Sequence, residues 1–494
     1  MAVHLRRAGA SREFVCLPFA PGLRLGAFSL SLSLSHRSLS LSLSLSLSLS
    51  LFTFISLAPS VRPRPVPAHA VLLPRLWPPP VSAARLSCLL PNSTAQVGTR
   101  GTPRSNKQRI SPTTGAASVS GIPNAAAGRL TLVIHAPVRE PGPDDVLLHV
   151  RATGICGSDI HFWHHGRIGD ITVDGDCILG HEAAAVVLSV GSNVTHLVKG
   201  DRVAVEPGVS CGRCFLCVGG RYNLCEQVAF SGVYPHHGTI QRYKTHPASH
   251  VHKLPDAISF RTAALLEPLS VALHALRTSP VTLGSPVAVF GAGPIGLLAM
   301  AAARASGAHP VVITDVDPAR LEFARTFEPS CRTYLVRRGD SAAESGDRIR
   351  DLFERRGWNR QPGIGHTEYD MPQVVLECTG IESSIAAAAY TVRRGGTINV
   401  VGVSPRITID KVPFMQMSLA EIKLLFINRY HDTWPAAIRA VEGGLIDRRK
   451  LETMVTHTFA LEDAVAAIQL VGGVASQEDA GKTVVKVQVV DDAT

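Results

Sequence analysis

Two things are scarce in this 494-residue chain: acidic side chains in its first quarter and unbroken apolar runs. Residues 1–120 contain 13 basic residues and a single acid, Glu13. The remainder holds 36 basic and 38 acidic residues, so the formal charge of +10 belongs to the N-terminal segment and the body is close to neutral. That excludes the broad basic surface of a nucleic-acid-binding body. No run of about 18 apolar residues occurs, which excludes an ordinary transmembrane helix. The apolar residues of 28–58 are interrupted by serines.

Residues 1–125 differ from the rest. Ser and Leu alternate without a break over 38–51, and 58–80 are rich in Pro. With no partner segment in view, this reads as a low-complexity extension without stable structure. The competing reading is an Arg-rich, Ser-rich organellar transit segment, which would place the protein in mitochondria; otherwise a cytoplasmic location is expected.

From about Arg129 the pattern is that of ordered protein. Short strands are expected over 130–135, 145–151 and within 183–205. From about 262 strands alternate with helices: 288–290, 311–315, 374–380 and 397–403 are apolar runs separated by helical stretches. Such alternation implies an α/β fold with a doubly wound parallel sheet beside a β-rich domain.

The segment Gly291-Ala292-Gly293-Pro294-Ile295-Gly296 sits between an apolar strand and an apolar helix. Gly291 permits a tight turn, Gly293 lets backbone approach a pyrophosphate, and Gly296 lets helix and strand pack closely. The helix N-terminus offers free N–H groups to phosphates. Asp315 follows at the end of the next strand, where an acid accepts hydrogen bonds from ribose hydroxyls. Val316, not Arg, comes after it. An acid there disfavours a 2′-phosphate, so NAD is expected rather than NADP. Arg320, in the next helix, completes the cofactor-binding candidates with Pro294 and Ile295.

Of the ten cysteines, Cys211, Cys214, Cys217 and Cys225 crowd together. Four thiolates at such spacing can enclose one tetrahedral Zn2+, a closed and therefore structural site; an iron–sulfur cluster is the competitor. A dispersed set, Cys156, His181 and Glu182, offers thiolate, imidazole and carboxylate. Three protein ligands leave a fourth position open, as catalysis requires. Glu267, in Leu266-Glu267-Pro268-Leu269, lies where the β-rich region meets the nucleotide-binding half, though a capping or surface role is equally compatible with the sequence.

GICGSDIHFW (154–163), GHE (180–182), LLEPLSVALHA (265–275), GAGPIG (291–296), ECTG (377–380) and NRYHDTWPAAI (428–438) together resemble the zinc-containing medium-chain dehydrogenase/reductase family, from about 130 to the C-terminus. Within it they resemble the polyol dehydrogenases acting on sorbitol, xylitol and L-arabinitol. The resemblance implies a GroES-like catalytic domain over 126–268, a Rossmann domain over 269–428 and a return to the catalytic domain over 429–494. It implies a catalytic zinc on Cys156, His181 and Glu182, with Glu267 bound directly or through water, and a structural zinc on the four cysteines. It also implies that Arg429 and Tyr430 reach polyol hydroxyls, that Phe162 contributes to the substrate site, and that Val401 and Arg429 flank the cofactor.

The implied reaction is oxidation of a secondary alcohol by hydride transfer to NAD. Ser158 and His161 pass the proton outward. His161-Phe162-Trp163 with HGRIGD (165–170) is most similar to fungal L-arabinitol enzymes, so L-arabinitol to L-xylulose is expected, with xylitol or D-sorbitol as alternatives. A small-molecule substrate, a homo-oligomer (by resemblance a tetramer), and no nucleic-acid or membrane partner are expected. An inactive homologue and a zinc-ribbon binding module are the readings from other classes. A zinc-free quinone reductase would lack the zinc ligands. One departure stands out: the family pattern expects Gly three residues after Glu182, where this chain has Ala185, whose methyl could crowd a strand crossing.

Overall fold

A computed structural model describes residues 116–120 (backbone only), 128–354, 366–404, 406, 408–474 and 481–492, with the side chains of 366 and 367 left out. The alternating Ser-Leu run and the rest of 1–115 lie outside the described residues.

Asp145–Gly154 and Glu182–Val190 are the paired central strands of a seven-stranded sheet. Its order runs Val251–Lys253, Arg202–Val205, Glu182–Val190, Asp145–Gly154, Lys486–Val490, Val455–Ala460, with Tyr243–Pro247 also paired to Asp145–Gly154. The last two strands of that order come from the C-terminal end of the chain, which thus completes the first domain. Their mutual pairing is parallel, whereas Lys486–Val490 meets Asp145–Gly154 antiparallel.

The second sheet is six-stranded and wholly parallel: Arg332–Leu335, Val311–Asp315, Val287–Phe290, Val374–Glu377, Thr397–Val400, Lys423–Phe426. The chain order reverses at Val287–Phe290, so the crevice beyond its carboxyl end is the nucleotide-binding point of a doubly wound fold. The glycine-rich segment occupies that crevice. The α/β architecture, a doubly wound parallel sheet beside a β-rich domain, is the one anticipated from the alternating pattern.

Helix Leu266–Thr278 connects the two halves. Pro268 in its first turn has no N–H to lose, and Leu266, Leu269, Ala272 and Ala275 are fully buried. It packs against Pro294–Ala305 of the nucleotide domain and Trp434–Glu442. Its N-terminus carries Glu267 toward the first domain.

Two expectations about the first domain change. Order begins earlier than Arg129: Ala116–Ser120 is the middle strand of a small sheet, between Arg129–Val133 and Asp176–Ile178. Ala185 does not crowd its strand. It is fully buried, pairs with Val150 on one side and Val203 on the other, and its methyl joins an apolar cluster with Val187 and Val205. The neighbouring strand carries an irregularity between Val150 and Ala152.

Candidate active site and metal centres

Cys156 caps the helix Gly157–His165, His181 precedes the strand Glu182–Val190, and Glu182 opens it. Their donor atoms lie within 4.8 Å of one another. Soft thiolate, imidazole and carboxylate at that separation fit a zinc ion with one position to spare.

Two neighbours shape the set. Asp159, fully buried, accepts hydrogen bonds from Cys156 N at 2.9 Å and Gly180 N at 3.0 Å, and its Oδ1 lies 3.6 Å from His181 Nδ1. Burial works against its charge, but His181 and the two amides outweigh that and hold its pKa below the usual range. With Nδ1 facing a carboxylate, Nε2 is left for a metal, and such outer partners fix tautomer and ring orientation. Asp159 is the N3 residue of a capping box on Cys156, a spacing legible in sequence and overlooked.

Lys486 is the second neighbour. Its Nζ donates to Ile155 O at 2.9 Å and lies 2.7 and 2.5 Å from the two oxygens of Glu182. Burial opposes its charge, and the Glu182 carboxylate more than offsets this, so its pKa stands above that of an ordinary Lys. Gly154 makes room for the arrangement: a Cβ there would fall 2.0 Å from Glu182 Oε2.

Glu267 is buried at 5% exposure, so it is no surface residue. It stands outside the close-set trio of donors. Burial raises its pKa to about 7; Glu182 adds to this while His181, Tyr430 and Lys486 pull it down. Tyr430, 3% exposed, places its hydroxyl beside that carboxylate without a well-formed hydrogen bond among the described residues. Burial first, and Glu267 next, push its pKa well up. Arg429 has its guanidinium 3.9 Å from the Phe230 ring centroid, and that ring lies 5.6 Å from His181's. Burial lowers the Arg429 pKa.

Ser158 Oγ is 3.5 Å from His181 Nε2. His161, half-buried one turn on, packs its ring 5.6 Å from that of His165. Phe162 lies on the inward face of the same helix. It is 3% exposed and sits in the core with Ile155, Leu179 and Ile240, because its helix turns that face inward.

In the nucleotide crevice Gly291 has φ 97°, a left-handed value suited to glycine. A Cβ on Gly296 would fall 1.8 Å from Gly291 O, so helix and loop close only on glycine. Gly293 caps the helix, with Pro294 in its first turn and Ile295 after it, and the Arg320 guanidinium lies 3.9 Å from where its Cβ would be. Asp315 Oδ2 accepts from Ala292 N at 2.7 Å and Oδ1 from Asp317 N at 2.9 Å. The acid expected at the ribose thus also braces the glycine loop. Val401 N donates to Glu377 O at 2.7 Å, at the end of the strand Val374–Glu377.

The four cysteines Cys211, Cys214, Cys217 and Cys225 form the second close-set group, their sulfurs also within 4.8 Å. The amides of Arg213 and Cys214 lower the Cys211 thiol to about 6. A closed thiolate set of this kind fits a structural zinc.

Family models match twice: "Alcohol dehydrogenase GroES-like domain" over 142–256 and "Zinc-binding dehydrogenase" over 294–443. The chain is 49% identical over 327 residues to an L-arabinitol 4-dehydrogenase of Aspergillus niger, spanning 66% of this chain and 82% of that one. The chain belongs to the zinc-containing medium-chain dehydrogenases. This dehydrogenase falls in their polyol group, being also 39% identical to a sorbitol dehydrogenase of Gallus gallus over 70% of its own length and 94% of the relative. Among solved structures it is similar to 2R,3R-butanediol dehydrogenase from Bacillus subtilis, with a TM-score of 0.61 and 27% identity, covering 77% of this chain and 100% of that one. No described helix of the dehydrogenase is long and apolar enough to cross a membrane.

Proposed function

We propose that this dehydrogenase oxidises L-arabinitol to L-xylulose with NAD, using one catalytic and one structural zinc per chain. The observation that carries the reading is the meeting of Cys156, His181 and Glu182 with Glu267, Tyr430 and Arg429 in one buried site. The first three would hold a zinc ion, which would supply Lewis-acid polarisation of the alcohol oxygen, and the glycine loop with Asp315 would hold NAD, which would supply the hydride acceptor. Ser158 accepts the substrate proton and His161 passes it outward. Glu267 tunes the metal site from outside the trio. Arg429 and Tyr430 hold the remaining hydroxyls, and Val401 and Arg429 flank the nicotinamide. The choice of L-arabinitol over xylitol or D-sorbitol is supported by the similarity to the Aspergillus niger enzyme.

NADH production by the full chain on L-arabinitol, xylitol and D-sorbitol side by side tests the substrate; a clear preference for another polyol overturns it. Cys156→Ser should abolish turnover while NAD binding survives, and full activity in that variant removes Cys156 from the ligand set. Metal analysis should give close to two zinc ions per chain.

A homo-oligomer, by resemblance a tetramer, fits the free edge strand Lys423–Phe426. Phe426 is exposed there, as are nearby Phe414, Met415 and Leu419. Light scattering at the mass of a single chain would refute it. A reducing compartment, cytoplasmic or mitochondrial, agrees with the eight described cysteines, all of them free thiols.

A further inference from the structure

We propose that Tyr222 and Asn223, on the turn just before Cys225, are positioning residues that set the polyol-binding loop 428–432. The proposal rests on the reading that Arg429 and Tyr430 hold substrate hydroxyls.

The loop needs outside support. Arg429 and Asp432 have φ of 57° and 50°, left-handed values that a side chain disfavours. Residues in such conformations persist only where the surroundings over-determine them. Two side chains from the cysteine lobe supply that here. Asn223 Nδ2 donates to Asn428 O at 2.8 Å, immediately before Arg429. The Tyr222 hydroxyl accepts from Asp432 N at 2.7 Å, and donates to Glu206 Oε1 at 2.9 Å. The two contacts therefore bracket Arg429 and Tyr430. Arg277, in the last turn of helix Leu266–Thr278, donates to His431 O at 3.1 Å and Asp432 O at 2.6 Å.

The turn Tyr222–Leu224 is itself held by its own lobe. Arg221 N bonds Leu216 O at 2.8 Å and Cys225 N bonds Tyr222 O at 3.0 Å. Glu206 is tied in turn to His252 Nε2 at 2.8 Å, whose ring stacks on Trp434 at 5.2 Å. Trp434 begins the helix that follows the loop. The four-cysteine lobe thus reaches the substrate site through two side chains and fixes where the guanidinium and phenol point.

The test compares wild type, Tyr222→Phe, Tyr222→Phe/Asn223→Ala and Arg429→Ala, each with L-arabinitol and with 2,3-butanediol, a diol lacking outer hydroxyls. The double variant should raise the KM for the polyol about tenfold. It should leave the rate on the diol and the content of two zinc ions unchanged. Tyr222→Phe, which removes one oxygen and keeps the ring, should show part of the same effect if the double variant proves hard to fold. An unchanged polyol KM in the double variant, with Arg429→Ala raising it, overturns the clamp and leaves the substrate reading intact. An unchanged polyol KM in Arg429→Ala overturns both. Equal losses on polyol and diol reduce the two residues to general structural support and also overturn the proposal.

Discussion

Lys486 Nζ sits 2.7 Å from one Glu182 oxygen and 2.5 Å from the other, a contact between residues 304 positions apart. A carboxylate offered to a metal would otherwise be an uncompensated buried charge whenever the metal leaves. Removing one partner of a buried ion pair typically costs about 3–5 kcal/mol.

Lys486→Met should therefore depend more heavily on metal than the wild type does. The expected outcome is a drop in melting temperature on chelation that is several degrees larger in the variant. Equal drops in the two proteins would show that Lys486 does not balance Glu182 in the metal-free state.

Gly154→Ala tests the space around the same carboxylate. A Cβ would meet Glu182 Oε2 at 2.0 Å and Lys486 Cε at 2.9 Å, so the carboxylate must move. The prediction is that the catalytic zinc is lost, leaving close to one zinc per chain, while NAD binding followed by fluorescence is retained. Two zinc ions per chain in that variant would place the metal elsewhere.

Asp315→Asn should weaken NAD more than polyol. The amide keeps one acceptor for the loop but gives up the negative charge at the ribose. We expect the KM for NAD to rise at least about tenfold, with the polyol KM nearly unchanged; a buried hydrogen bond to a charged group is worth roughly 1.5–3 kcal/mol. A wild-type preference for NADP would contradict the role given to this acid.

His246 predicts a pH effect away from the active site. It is 3% exposed, its Nε2 lies 2.9 Å from Glu206 O, and burial lowers its pKa to about 3. The unfolded chain binds a proton there near pH 6.5 and the folded one does not. The associated stability is complete above pH 6.5 and is lost as pH falls toward 3. Between pH 6 and pH 5 the loss is about 1 kcal/mol. His246→Gln, which keeps a donor for Glu206 O, should remove that part of the acid destabilisation in denaturation measured across this range. Parallel pH curves for the two proteins would refute it.

Much of both close-set donor groups was readable in short motifs, because residues close in sequence are forced close in space. Cys211, Cys214, Cys217 and Cys225 gather within one short loop, and His181 and Glu182 are adjacent. The four central strands of the parallel sheet were also legible, since strands buried on both faces are continuous apolar runs. Arg332–Leu335 and Lys423–Phe426 were not. They are the two half-exposed edges of that sheet: Arg332–Leu335 has no such run, and the short run Leu424-Leu425-Phe426-Ile427 cannot by periodicity alone be told from a helix segment. The return of 429–494 to the catalytic domain is implied by the resemblance, but the strand Lys486–Val490 and its pairing with Asp145–Gly154 come from the structure.

The sequence by itself determined the chemistry that local spacing controls: the glycine turn, the cysteine lobe, the Cys-His-Glu donors and the alternation that builds the parallel sheet. The tertiary structure alone decided what surrounds those groups. It brought Lys486 to Glu182, placed Phe162 in the core, and seated Ala185 between Val150 and Val203. It also tied Tyr222 and Asn223 to a loop some 205 residues away. These contacts join residues distant in the chain, and their partners are selected by strand pairing and burial, which no local pattern encodes.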